Sequence, residues 1–213
     1  MYEAKDFYKD KNVVQDYEQE RFTGKLGSFR YAREQRAVSY VLDHLPEKQL
    51  ILDCPIGNGR WSEILLARGH EVIGCDISRA MLDAAEVRLS TTPGLRGLSI
   101  ADAENLWLPN DSVDYVFCHA LFKHLPVPIQ LKVLTELARV SRRGIVVALS
   151  LLILPESLLW RARRIPEAYG VNRELLQEWL DDLGLDLVVA KKCTTPLGVE
   201  RTMLLSHRLP LQS

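Results

Sequence analysis

At 213 residues the chain suits one α/β domain with a modest extra segment, and its 47% apolar residues are enough to fill a core, which excludes a disordered chain. Lys and Arg number 27 against 28 Asp and Glu, a net charge of −1, so the basic excess of a duplex binder is missing and nucleic acid is not the expected partner. Cys54, Cys75, Cys118 and Cys193 are scattered and the histidines show no ligand spacing, so neither a disulfide framework nor a structural metal is expected, and the thiols read as buried hydrophobes in a reducing compartment.

The first residues, MYEAKDFYKDKN, are charged and lack the apolar heart of a signal peptide. No later apolar run reaches the ~20 residues that span a bilayer. A cytoplasmic protein with no membrane span is expected. Residues 1–29 read as an irregular polar arm with scattered aromatics. After it, Val38, Val41, Leu42 and Leu45 form one helical stripe that Pro46 ends.

From there strands and helices alternate. Leu50-Ile51-Leu52 is a short strand, and Gly57 and Gly59 open a helix that Gly69 closes. Val72 to Cys75 is a second strand, and Ser78 caps a helix through Met81 and Ala85. Strands follow near Leu98–Ile100, Val113–Cys118 and Ile145–Leu149, with a helix through Val133, Leu134 and Leu137 before the last. This alternation implies right-handed βαβ units and a parallel sheet covered on both faces. A final helix with Leu176, Trp179 and Leu180 stops at Gly184. Two β-like runs, Leu187–Ala190 and Thr202–Leu205, then follow with no helix between them, an antiparallel hairpin.

The segment Asp53-Cys54-Pro55-Ile56-Gly57-Asn58-Gly59 joins a strand to a helix. Glycines there admit close approach of a ligand, and the helix start offers free N–H groups. About twenty residues on, the second strand ends at Asp76, where a carboxylate can accept from both hydroxyls of a ribose. Ser62 stands where a dinucleotide fingerprint wants glycine or alanine. S-adenosylmethionine (SAM) carries no pyrophosphate but has an amine and a sulfonium, which an acid inside the loop such as Asp53 suits. Two further polar clusters follow the third and fourth strands, Ala101-Asp102-Ala103-Glu104 and His119-Ala120-Leu121.

With these elements in order, the chain resembles the class I SAM-dependent methyltransferases, particularly their small-molecule branch, over about residues 30–207. The resemblance implies a Rossmann-like, seven-stranded, mostly parallel sheet with helices on both faces and a C-terminal antiparallel β-hairpin. It implies a methyltransferase domain over 30–213 behind an arm at 1–29. By the same resemblance, the loop of Asp53, Pro55, Gly57 and Gly59 lines the methionine end of SAM. Asp76 holds the ribose, Ile77 and Met81 pack on adenine, Asp102 and Ala103 read its edge, and His119 and Leu121 sit near the methyl group. Pro55 departs from the family's first loop glycine, removing an N–H and any positive φ there.

An oxygen or nitrogen acceptor calls for a base, and the candidates are His124 and His119. In the N-terminal region Tyr17, Arg21, Phe22, Arg30 and Arg33 are candidates to close the pocket, an arginine on the SAM carboxylate and an aromatic over the sulfonium, against a plain solvated helix start. Residues 151–171, apolar and Arg-rich, read as a lid over a small acceptor that is partly hydrophobic or anionic, against a dimer contact or a surface helix. Monomer and homodimer stay open. Pro55 keeps alive a second function, a non-catalytic SAM- or nucleoside-binding regulatory subunit. An NAD-dependent oxidoreductase shares the glycine turn and Asp76 but explains neither Asp102 nor the hairpin.

Overall fold

The computed structural model describes residues 24–153, 169–193 and 199–208. Helix α1 (Gly24–Leu42) is 19 residues long and begins earlier than the apolar stripe predicts. Residues 24–29 therefore belong to this helix instead of an irregular arm. Tyr31, upstream of the stripe, packs beside the core residues of α1, and that tertiary contact extends the helix past its glycine-containing start. The helix stops before Pro46, and Val38, Val41 and Leu42 are buried.

Seven strands lie in the order β3-β2-β1-β4-β5-β8-β7. They are β1 (Leu50–Asp53), β2 (Glu71–Asp76), β3 (Leu95–Ile100), β4 (Val113–Cys118), β5 (Ser141–Leu152), β7 (Leu185–Lys192) and β8 (Glu200–His207). A two-residue strand, β6 (Val171–Asn172), pairs with the end of β5 through Leu151 and Leu152 and is too short to show a strand period in the sequence. The first five strands run parallel, whereas β8 is antiparallel to both β5 and β7. The terminal hairpin is therefore as expected, with both strands longer than their apolar runs.

Helices α2 (Arg60–Ala67), α3 (Arg79–Leu89), α4 (Val127–Val140) and α5 (Arg173–Asp182) complete the domain. The two-residue period of the strands divides the core between the faces of the sheet. Leu52, Val116, Val147 and Leu205 point to the face that packs with Leu134, Leu137 and Trp179. Their neighbours Ile51, Phe117, Val146 and Leu204 point to the face that packs with Val38, Trp61, Leu65 and Leu82.

Caps are where the sequence places them. The Ser78 side chain accepts from the Met81 N–H at 3.4 Å. Gly69, at φ 83°, closes α2 with bonds from its own N–H to Leu66 and from His70 N–H to Leu65. All four cysteines are buried and free. Among the described residues no helix is long and apolar enough to cross a membrane.

Strand order reverses at β1, which has β2 on one side and β4 on the other. An open α/β sheet leaves a crevice beyond the carboxyl ends of the strands at such a point.

Candidate functional site

The crevice is built on the turn between β1 and α2. The Ile56 N–H donates to Cys75 O at 2.8 Å and the Cys54 N–H to Phe117 O at 2.9 Å, tying the turn to the ends of both flanking strands. Gly57 and Gly59 take φ of 55° and 82°. At Gly59 a Cβ would also come within 2.9 Å of Leu89 Cδ1, so glycine is required twice over, by conformation and by the close approach of α3. Pro55 has no positive φ and follows a cis peptide bond.

Asp76 closes β2. Its Oδ2 accepts from the Gly57 N–H and its Oδ1 from the Ser78 N–H, both at 2.9 Å. Burial raises its pKa, and backbone donors from Ser78, Gly57 and Ile77 pull against that rise. The carboxylate thus sets the glycine turn and the α3 cap at once, and its further lone pairs remain for a ligand.

Asp53 lies beneath the turn at 1% exposure. Its Oδ2 accepts from the Ser62 hydroxyl at 2.6 Å, while Oδ1 is buried with no hydrogen-bond partner among the described residues. Burial pushes its pKa up to about 7, the Ser62 bond opposes this, and the charge of Asp76 adds to it. Ser62 is thus more than a missing glycine: it orients the buried acid. A small polar residue facing back from a helix start toward an acidic strand end was the available signal.

The cleft holds about 710 Å³ of empty space, including its open mouth. Of the residues expected at a ligand, Pro55, Gly57, Asp76, Ile77, Met81, His119 and Leu121 line it. Gly59, packed against Leu89, and the buried Asp53 are not among the lining residues. Ile56 and Asn58 of the same expected loop line it too, and so do Arg60 and Trp61, which sequence reasoning did not single out.

Three expectations fall elsewhere. Asp102 turns its carboxylate into its own turn, accepting from the Glu104 N–H at 3.1 Å, and Ala103 packs on the core; neither is among the cleft-lining residues. Arg33 stands over the Phe29 ring at 5.8 Å and does not line the cleft. His124 does not line it either. Gln130 Nε2 donates to Phe122 O and Leu125 O and winds residues Phe122–His124 into a 3₁₀ turn, in which the Nε2 of His124 is shielded from solvent. Lys123 of the same turn pairs with Glu200 at 3.2 Å. The assignment of His124 as base therefore rests on turnover at saturating SAM: near-wild-type rates for His124→Ala would remove it, whereas a deleted base typically costs ~100-fold. Tyr17, Arg21, Phe22, the Arg30 side chain and residues 154–168 of the expected lid lie outside the described residues. The lid's flanks, Leu151–Leu152 and Val171–Asn172, are paired strand.

His119 is 5% exposed, its ring 4.6 Å from that of Trp61 and stacked at 6.0 Å and 10° on Phe117. Both ring nitrogens are shielded from solvent. Its place is the cleft wall at the end of β4.

A family profile described as a methyltransferase domain matches residues 51–144. The biotin biosynthesis bifunctional protein BioHC of Cellvibrio japonicus (strain Ueda107) is 32% identical over 186 residues, 82% of this chain and 36% of that protein. The chain thus spans about a third of the length of that curated relative. Among solved structures, the magnesium protoporphyrin IX methyltransferase of Synechocystis PCC 6803 with bound SAM aligns with a TM-score of 0.74 at 17% identity, over 96% of this chain and 95% of its own. The 1,6-didemethyltoxoflavin-N1-methyltransferase of Burkholderia thailandensis, with bound 1,6-didemethyltoxoflavin and S-adenosylhomocysteine, aligns with a TM-score of 0.69 at 15% identity, over 93% of this chain and 86% of its own. At these identities the two structures speak for the fold.

Proposed function

We propose that the chain is a class I SAM-dependent methyltransferase that binds SAM in this cleft and moves the methyl group to an oxygen or nitrogen of a small acceptor. The observation that carries the proposal is Asp76. Backbone donors hold its carboxylate in one orientation at the strand-order reversal, where a ribose diol would meet it.

The other residues fit the same ligand. Ile77 and Met81 offer an apolar surface to adenine beside Asp76. The buried Oδ1 of Asp53, without a hydrogen-bond partner among the described residues, suits an ammonium group at the methionine end. His119 and Leu121 wall the far side, where an acceptor would approach. When bound, SAM supplies a methyl carbon activated by its sulfonium, open to in-line displacement by the acceptor's lone pair. The chain's own contribution is alignment and exclusion of water. Among the described lining residues His119 is the only imidazole, and it is packed between aromatic rings. The site therefore best suits an acceptor whose nucleophilic atom is already unprotonated. The apolar, Arg-rich sequence of 151–166 supports an acceptor that is partly hydrophobic or anionic.

Pro55, in place of the family's first loop glycine, supports a second reading, a non-catalytic SAM- or nucleoside-binding regulatory subunit. Both readings expect titration calorimetry to show micromolar binding of SAM and S-adenosylhomocysteine with none of NAD. Only the enzyme forms S-adenosylhomocysteine when acceptors are supplied. Silence for both SAM compounds in a folded sample would sink both readings. Asp76→Ala is expected to weaken SAM binding by roughly 1–3 kcal/mol, and an unchanged affinity would remove Asp76 as the ribose ligand.

A further inference from the structure

Two strands border the sheet, β7 at one side and β3 at the other, and their free edges differ. β7 carries Asp186, Lys191 and Lys192 and a register shift between Leu187 and Val189, the charges and irregularity that keep an edge from pairing. On β3 the one charged residue, Arg96, is tied back to Glu71 of β2, with its Nε 2.8 Å from Oε2, and the register shift lies beside it. Beyond that point Gly97, Leu98, Ser99 and Ile100 run in regular register with residues 73–76. This stretch has neither proline nor charge. Ile100 is 56% exposed, and among the described residues no strand pairs with the outer side of β3.

The backbone settles how another strand would fit. The Ala101 N–H donates to Asp76 O at 3.0 Å. Because peptide groups alternate sides along a strand, Ser99 also turns its N–H and C=O to β2, whereas Leu98 and Ile100 turn theirs outward. In a two-fold arrangement about Ser99, Leu98 of each copy exchanges both hydrogen bonds with Ile100 of the other. Ser99 then faces Ser99 in the close, non-hydrogen-bonded position. Leu98 and Ile100 lie on the α3 side of the sheet and line a groove with Leu82, so apolar side chains meet across the join.

The rim of the groove favours a second copy over a charged peptide. It carries Arg79 and Arg96 against Asp83 and Glu86, equal in number, where a site for a charged segment would show one sign. Along α3 the order is cation, acid, acid at Arg79, Asp83 and Glu86. A two-fold axis normal to the sheet lays the second α3 beside the first in the opposite direction. Arg79 of each copy then faces the end of α3 that bears Glu86 in the other, opposite charges on both sides of the axis. Val87, on the same helical stripe and 78% exposed, lies at that meeting. We propose that the protein forms a homodimer by pairing β3 with β3 of a second copy, antiparallel about Ser99, so that one continuous sheet runs through both. The dimer does not depend on what the cleft binds.

The test is sedimentation equilibrium of the full chain over a dilution series, in which the wild type should show twice the chain mass. Ile100→Lys sets a charge against Leu98 of the other copy at a position exposed in the single chain. It should raise the dimer dissociation constant roughly tenfold or more while the circular dichroism stays unchanged. Glu86→Arg should weaken the dimer by a smaller factor, and adding Arg79→Glu should restore it. Ser99→Cys treated with diamide should join two chains through a disulfide, since facing Cα atoms in such a pair lie about 4.5 Å apart and the native cysteines are all buried. A wild type that keeps the single-chain mass at the highest concentration, with no cross-linking of Ser99→Cys, would overturn the proposal. A dimer that survives Ile100→Lys and does not cross-link through residue 99 would put the interface on another face and overturn it as well.

Discussion

Replacing Asp53 with Asn is expected to stabilise the ligand-free protein at and above neutral pH and, in the same variant, to weaken SAM binding. Folding takes the carboxyl group fully out of water, and its pKa rises from 3.8 to about 7, chiefly through burial. The sign follows from proton counting. Below pH ~4 the acid is protonated in both the folded and unfolded chains and contributes no difference. Between ~4 and ~7 the unfolded chain releases a proton that the folded chain retains, so stability falls as pH rises, and above ~7 the loss is complete. The full effect is at most about 4 kcal/mol. Asn keeps an oxygen for the Ser62 hydroxyl and removes the charge, so the gain in Tm should be smaller at pH 5 than at pH 8, where it is largest. Denaturation at the two pH values measures it, and a variant no more stable at pH 8 than wild type would contradict the burial argument.

Binding should move the opposite way. A buried carboxylate with one oxygen bonded and the other unpartnered is an unfavourable arrangement that an ammonium group relieves. Wild-type affinity for SAM should therefore rise with pH as Asp53 ionises near 7, and Asp53→Asn should flatten that dependence. A residue that lowers the stability of the empty protein while raising affinity for a ligand fits a binding site better than a core position.

Much of this was legible in the sequence because it depends on local rules. The alternation of apolar runs and glycine or serine caps gives the parallel sheet, and two β-like runs without a helix between them give the closing hairpin. The acid at the end of β1, the glycine pair and the acid at the end of β2 lie within 24 residues of chain, so the core of the cleft could be read by eye. What was hidden depends on side-chain contacts that the helix and strand periods do not encode. His124 follows the right strand, but Gln130, six residues on, winds its segment into a turn whose imidazole is shielded from solvent. Asp102 has the right chemistry after β3, and its Oδ1 accepts from the Glu104 N–H two residues on, which orients it within its own turn. Arg33 and Arg60 look alike as letters, yet Arg60 lines the cleft beside Tyr31 and Trp61 whereas Arg33 stands over Phe29 outside the lining. The early start of α1 has the same origin, since contact with the core carries the helix through residues whose own propensity is weak.

Trp61→Ala should produce the other large effect, a loss of roughly 3–5 kcal/mol in stability. Trp61 is 6% exposed, and its ring lies 6.0 Å from that of Tyr31, 6.2 Å from Phe117 and 4.6 Å from His119. It therefore joins α1, α2 and the end of β4 at one point, and truncation removes the shared partner of all three. Chemical denaturation measures the change, and a loss below about 1 kcal/mol would show that the ring is not packed as described. Trp61→Phe should recover most of the stability, because a ring still fills most of the space. Ligand affinity should separate the two variants further. With phenylalanine at 61, Arg60 and His119 keep an aromatic neighbour and the cleft wall keeps its shape. With alanine, both lose their support, and SAM affinity should fall by more than the stability of the folded state alone would require. The wall of the cleft and the core beneath it are the same residues on this face of the sheet, so the geometry of the site is maintained by the packing that holds the fold together.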